Sequence, residues 1–381
     1  MEFSKDIPYD QCLSPAFVLD LNRLQKNLNL IKEVQKLASI DIIMALKAFA
    51  NWHLFPLIKD YVSGATASSL NEAKLINEYM GVKAHAYFVA YHPKEFKEVL
   101  ACSSHITFNS ISQYNRFKTK IEDHPHPISV GLRVNPEYSV VETDLYNPAS
   151  PASRLGMVAA NITEWPEGIE GLHFHTLCES SSYDLEKTLK AVEEKFGQFL
   201  PQIKWVNMGG GHLMTKNDYS VKHLIETIAN FKKKHQVEVI LEPGAAFVWQ
   251  TGELVSEVLD IHQSGAVQTL ILDVSFTAHM PDTLEMPYRP TVLGQVPIEK
   301  AAFRYRLGGL SCLSGDYLEE YGFNQEIQIG DRIVFADMIH YTTVKSNMFN
   351  GVAHPSLLQW DGSQFQLLRS YNYEDYKKRM G

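Results

Sequence analysis

Several short stretches carry groups that could do chemistry. Lys47, in Met44-Ala-Leu-Lys-Ala-Phe-Ala50, follows an apolar run. At the mouth of a buried strand a lysine loses hydration and its pKa falls. The free amine then forms Schiff bases with carbonyl compounds; the same position also suits a surface lysine. Asn207-Met-Gly-Gly-Gly211-His212 follows a second run. Gly209, Gly210 and Gly211 present backbone N–H groups and admit a close approach, which suits a phosphate, though a tight turn uses the same residues. No Gly-Lys-Ser/Thr follows, and the spacing is not the dinucleotide fingerprint. Glu242-Pro-Gly244 places a carboxylate after a third run, either in a solvated turn or where it could hold a proton on a ring nitrogen. In Leu172-His-Phe-His-Thr-Leu-Cys178, alternation puts His173 and His175 on one face of a predicted strand. Each could stack on a flat cofactor or be a hydrogen-bonded core histidine. Gly308-Gly-Leu-Ser-Cys312-Leu-Ser-Gly-Asp316 rings one cysteine with small residues and ends on an acid. That suits a loop reaching into a site, and equally a buried apolar thiol. Tyr341 and Phe349-Asn-Gly351 are weaker signals.

The elements that must position these residues alternate. Ala16–Asp20 reads as a strand, and Leu24, Leu28, Ile31 and Val34 lie at helical spacing over 21–37. Strands follow over 40–46, 62–67, 85–90, 106–108, 128–134, 171–175, 204–208 and 238–241, with a helical run at 71–80. Strand–helix alternation over about 230 residues predicts an α/β protein with a (β/α)8 barrel, whose chemistry sits at the C-terminal strand ends. A doubly wound sheet is the alternative. After Pro243 strands follow one another (251–262, 269–274, 302–307, 331–335, 367–370), as in an all-β domain. The expected division is a barrel over 16–244, with 1–15 plus 245–381 forming the β-domain that carries the Cys312 loop.

Composition limits the function classes. The chain has 381 residues, 45% hydrophobic and 21% charged, as in an ordinary globular protein. The net charge of −9 argues against nucleic acid, which calls for a basic stripe. No apolar run reaches the roughly 18 residues of a membrane span, and no secretory leader is seen. Cys12, Cys102, Cys178 and Cys312 are scattered, with no CxxC pair. No metal site or disulfide framework is therefore expected, and a cytoplasmic, reducing compartment is.

In this order, Lys47, His175, the glycine triplet, Glu242-Pro-Gly244, Cys312 to Asp316 and Tyr341 resemble the fold-type III pyridoxal-phosphate (PLP) decarboxylases. The nearest branch is the one acting on carboxynorspermidine and carboxyspermidine. It is echoed in Ala65-Thr-Ala-Ser-Ser-Leu-Asn-Glu72, His173-Phe-His-Thr-Leu-Cys-Glu179, His279-Met-Pro-Asp-Thr-Leu-Glu-Met-Pro-Tyr288 and Cys312-Leu-Ser-Gly-Asp316. The resemblance runs from about residue 15 to 358. It implies that Lys47 holds PLP covalently, that His175 stacks on the ring, and that Gly209, Gly210 and Gly211 cradle the phosphate with a hydroxyl from Tyr341. Glu242 would pair with the pyridine nitrogen and Arg133 would lie near the cofactor. Cys312 would deliver a proton across a homodimer interface; a thiol is largely protonated at neutral pH and can serve. Ala245-Ala246 replaces the Gly-Arg of ornithine-type relatives, and Thr66 replaces a frequent acid.

The substrate so implied is a cationic polyamine with one amino-acid end. Its distal nitrogens call for acids. Asp282 and Glu285, on predicted loops, are assigned to the distal amines, with Asp316 nearer the reacting end; Glu242 is counted among the substrate-binding residues as well. Asp282 and Glu285 could equally form a solvated face. The competing functions are diaminopimelate or ornithine decarboxylation, a racemase, and a non-catalytic regulatory binder.

Overall fold

The computed structural model describes residues 7–141, 143–286 and 288–381. The chain forms two compact units: Asn27–Phe247, and residues up to Lys26 together with Val248–Gly381.

The strand labelled β1 is Ala16–Asp20. The next eight are β2 (Asp41–Ala45), β3 (Gly64–Ala67), β4 (Ala84–Tyr87), β5 (Ser103–Phe108), β6 (Ser129–Arg133), β7 (Gly171–His173), β8 (Trp205–Asn207) and β9 (Glu238–Leu241). β2 to β9 close into a parallel barrel, with β9 pairing back on β2 through Asp41↔Ile240 and Ile42↔Leu241. The fold is the expected (β/α)8 barrel followed by a sheet domain. Closure rests partly on one large ring. Trp205 packs with Ile43 and Ile240 and donates its indole N–H to Ser129 Oγ at 2.8 Å. A Cβ on Gly131 or Gly171 would lie 2.4 or 2.1 Å from that ring, so glycine is what these two strand positions tolerate.

The outer helices follow the apolar spacing. In Leu21–Ala38, the residues Leu24, Leu28, Ile31 and Val34 are all fully buried. The helix Ser182–Phe196 starts at a capping box, where Ser181 and Asp184 satisfy each other's backbone N–H, and it buries Leu185, Leu189, Val192 and Phe196.

In the other unit β1 joins β10 (Gly252–Ser264), β11 (Val267–Leu272), β12 (Phe303–Gly308), β13 (Tyr317–Phe323), β14 (Arg332–Phe335), β15 (Ser356–Trp360) and β16 (Phe365–Arg369). The order is β13-β12-β11-β10-β1-β15-β16, with β14 also on β10. The sheet is mixed: β1 runs antiparallel to β10 and parallel to β15. Ala16, Val18, Val255, Val334, Leu358 and Trp360 share its core with Ile7 and Cys12.

Two expectations are corrected. The strand 16–20 forms, but it is a buried central strand of the open sheet and not part of the barrel, whose first strand is β2. Five apolar residues specify a strand without specifying its partner. The second unit is also not purely β: it carries short helices at Phe276–His279, Asp282–Glu285 and Thr342–Lys345 and a terminal helix Tyr373–Met380. Among the described residues no helix is long and apolar enough to cross a membrane.

Candidate active site at the C-terminal ends of the barrel strands

A cavity of about 190 Å³ opens where the barrel strands end, lined by residues that include Lys47, Arg133, His173, His175, Gly210 and Glu242. Each follows from its strand. Lys47 lies two residues past β2, Arg133 and His173 are the last residues of β6 and β7, and Glu242 is the first after β9. Parallel strands ending together bring side chains distant in sequence to one rim.

Lys47 is exposed to this cavity, and its Nζ lies 3.4 Å from His175 Nε2. Crowding by protein atoms and, next, the Arg133 guanidinium push its pKa down, against the opposing pull of Glu242. His175 is not on the strand with His173, because β7 stops at His173. The imidazole lies in the following loop, and its Nδ1 accepts the Gly210 N–H at 2.8 Å. Burial, then Lys47 and Arg133, hold the ring well below the ordinary histidine range, so it is neutral. A neutral ring that accepts at Nδ1 carries its proton on Nε2. The Nε2–H therefore faces Lys47, which can receive it only as a free amine.

Glu242 is pushed up by burial and opposed chiefly by its bond with Asn207; Asn207 Nδ2 donates to Glu242 Oε1 at 2.7 Å. The second carboxylate oxygen lies 3.6 Å from His173 Nε2. Both ring nitrogens of His173 and the Nε of Arg133 are buried with no hydrogen-bond partner. Groups of this kind at the wall of a cavity call for a polar ligand. The Arg133 guanidinium stacks on the Tyr87 ring, 4.6 Å from its centroid.

The glycine triplet departs from expectation. Gly209 N–H donates to Asn207 Oδ1 at 2.9 Å and Gly210 N–H goes to His175, so two of the three amides are committed within the protein. The glycines are needed for contact instead. A Cβ would lie 2.5 Å from Phe174 O at Gly209, 2.4 Å from Glu242 O at Gly210 and 2.2 Å from Leu177 O at Gly211.

The remaining expected residues lie in the sheet unit. Asp316 is buried, only 4% exposed, and accepts from Thr277 N–H at 3.0 Å, Ser311 N–H at 3.0 Å and Ser311 Oγ at 2.6 Å. Through these bonds it anchors the Cys312 loop. Asp282 and Glu285 lie on a short helix, not on loops, and both pair with Lys345, Glu285 at 2.9 Å. Their charges are already opposed. Cys312 is an exposed free thiol in a loop that also exposes Leu310 and Leu313. Tyr341 precedes the helix Thr342–Lys345 with φ 52 and ψ −49, a conformation that costs on the order of 1–3 kcal/mol for a residue with a side chain.

Asn109 and Tyr87 were not singled out in the sequence. The Tyr87 hydroxyl and the Gly156 N–H both donate to Asn109 Oδ1 at 2.7 Å, and Asn109 Nδ2 donates to Arg154 O at 2.8 Å. This fixes the Arg133 platform and the rim at Arg154. The one available signal was that Tyr87 lies in the predicted strand 85–90 and Asn109 directly follows the predicted strand 106–108. Among the described residues no cluster is placed to hold a metal.

A barrel with this lysine, these histidines and this carboxylate at its rim, joined to a mixed sheet, defines a class of cofactor-dependent enzyme. Residues 17–339 match the family model described as pyridoxal-dependent decarboxylase, C-terminal sheet domain, and the chain belongs to that family. It is 47% identical to the carboxyaminopropylagmatine decarboxylase of a Synechocystis species, covering 97% of this chain and 95% of that one. It is 42% identical to the carboxynorspermidine/carboxyspermidine decarboxylase of Campylobacter jejuni, covering 97% and 99%. The crystal structure of a carboxynorspermidine decarboxylase from Campylobacter jejuni in complex with norspermidine superposes with a TM-score of 0.90 at 41% identity, covering 97% of this chain and 100% of that one.

Proposed function

We propose that this protein is a PLP-dependent carboxy-lyase that decarboxylates carboxynorspermidine and carboxyspermidine to norspermidine and spermidine. The observation that carries the reading is the rim cavity, which gathers Lys47 with its pKa pushed down, a neutral His175, unpaired His173 and Arg133 nitrogens and Glu242. This donor set fits PLP. Lys47 would hold its aldehyde carbon, His175 would lie against the ring, and Glu242, oriented by Asn207, would hold a proton at the pyridine nitrogen. Arg133 would take a polar atom of the cofactor, and Gly211 and Tyr341 would serve the phosphate. Bound there, the cofactor supplies an electron sink for the bonding pair left when CO2 departs.

Cys312 would supply the proton that replaces CO2, and it is placed on an exposed apolar loop with Leu310 and Leu313. Such a surface supports a homodimer in which the thiol serves the partner's reaction. The free thiols suit a reducing cytoplasm. Asp282 and Glu285 remain the acids for the distal amines, once Lys345 gives way.

The identity to a carboxyaminopropylagmatine decarboxylase favours a second reading, in which the tail ends in a guanidinium. Steady-state CO2 release from carboxynorspermidine, carboxyspermidine, carboxyaminopropylagmatine, diaminopimelate and ornithine separates these. A colourless protein, with no visible cofactor band that disappears in Lys47→Ala, sinks the PLP reading.

A further inference from the structure

Cys312 is held from two sides, and the two holds differ. On one side is Asp316, buried and bonded to Thr277 and Ser311. On the other, the Cys312 N–H donates to Asn350 Oδ1 at 2.8 Å. Asn350 has φ 55 and ψ 14, the left-handed region that asparagine enters more readily than other residues with a side chain. It is seated by Asn347, whose N–H donates to Ala278 O at 2.7 Å, whose amide donates to Thr277 O at 3.3 Å and whose Oδ1 accepts the Phe349 N–H at 2.9 Å. Both holds thus meet on the short helix Phe276–His279.

Cys312 and Asn350 are both exposed. Water would satisfy an exposed amide nearly as well as a side chain does, so this bond adds little stability. A strained residue keeps it nonetheless. What the bond fixes is the direction of the Cys312 backbone and hence of its thiol. We propose that Asn350 is a positioning residue that aims the Cys312 thiol at the reacting carbon. This rests on the reading of Cys312 as the proton donor. The carbon that loses CO2 keeps the bonding pair and takes the S–H proton, and the thiolate regains a proton from water.

The test uses three holoenzyme variants with carboxynorspermidine in deuterium oxide. Asn350→Gly removes the acceptor and accepts the left-handed backbone. Asn350→Ala removes it and adds strain. Asn350→Asp keeps it. The expected result for Asn350→Gly is a kcat lower by about three- to tenfold, the size one hydrogen bond carries, with KM unchanged. The stereochemical purity of deuterium at the product carbon falls, and iodoacetamide alkylates Cys312 faster in the substrate-free enzyme. Asn350→Asp restores all three, and Asn350→Ala is no better than Asn350→Gly. Wild-type kcat and purity in Asn350→Gly overturn the positioning role. Cys312→Ala separates the two failures: if it keeps wild-type purity, the donor reading itself is wrong and the proposal goes with it. If it loses purity while Asn350→Gly does not, only the role of Asn350 is wrong.

Discussion

His175 Nε2 lies 3.4 Å from Lys47 Nζ, and the Gly210 N–H bound to the far side of the ring decides what that contact means. A backbone amide only donates, so Nδ1 must accept and the ring proton sits on Nε2, aimed at the lysine. An ammonium there would meet an N–H; a free amine meets a donor. A glycine expected on a phosphate thus acts through a histidine to favour the nucleophilic form of Lys47. Nitrogen-15 spectra of histidine-labelled protein without cofactor should show His175 protonated on Nε2 and bare on Nδ1. The opposite tautomer would remove the argument.

The charges around Lys47 have opposite signs of effect. Arg133 disfavours the ammonium and Glu242 favours it. In cofactor-free protein, Arg133→Met should move the pH profile of Lys47 reductive methylation upward, and Glu242→Gln should move it downward. Mass spectrometry of the Lys47 peptide reads both. An unmoved profile in both variants would show that burial alone sets it.

Glycine at 211 has two physical reasons: φ is +86, and an added Cβ would lie 2.2 Å from Leu177 O. Gly211→Ala should cost about 2–5 kcal/mol of stability, from strain and overpacking together. Gly197 ends the helix Ser182–Phe196 at φ −55 with open space around its missing Cβ. Gly197→Ala should be neutral or stabilising by up to about 1 kcal/mol. Urea unfolding of the two variants side by side checks this.

The rim was legible because barrel strands are short apolar runs and the reactive residues stand just beyond them, as Lys47 and Glu242 do. The polar side chains that orient them were not. Asn109 and Asn207 act through tertiary bonds to Tyr87, Gly156, Glu242 and Gly209, and neither spacing nor charge announces such bonds. Strand 16–20 was recognisable, but its pairing with β10 and β15 was not, since pairing is a property of two segments. Asp316 was read from its charge as a substrate acid; its burial and the three donors by which it anchors the Cys312 loop were not visible in spacing or charge.

Lys345 stands between Asp282 and Glu285. If these acids receive the distal amines, the lysine competes with the substrate for them. Lys345→Met should then lower KM for carboxynorspermidine, and Asp282→Asn with Glu285→Gln should raise it, with kcat little changed. A purely structural cluster at this partly exposed site would contribute about 0–1 kcal/mol of stability and leave KM alone in all three variants. Steady-state kinetics at two ionic strengths distinguishes these outcomes, because screening weakens the electrostatic competition.

Acid should loosen both units. Burial lowers His212, in the barrel unit, and His279, in the sheet unit, from 6.5 to about 4. A depressed folded pKa means that between pH 6.5 and about 4 the unfolded chain takes up protons that the folded one refuses. Stability is therefore full above the upper limit and is lost as pH falls through this window, by up to about 1.4 kcal/mol per pH unit for each residue. His173 and His175 are held well below the ordinary range, mainly by burial, and steepen the loss in the barrel. Urea midpoints at a series of pH values should show the slope. His212→Gln should flatten it in a barrel signal such as Trp205 fluorescence, whatever its effect at neutral pH. An unchanged slope in that variant would place the acid sensitivity elsewhere.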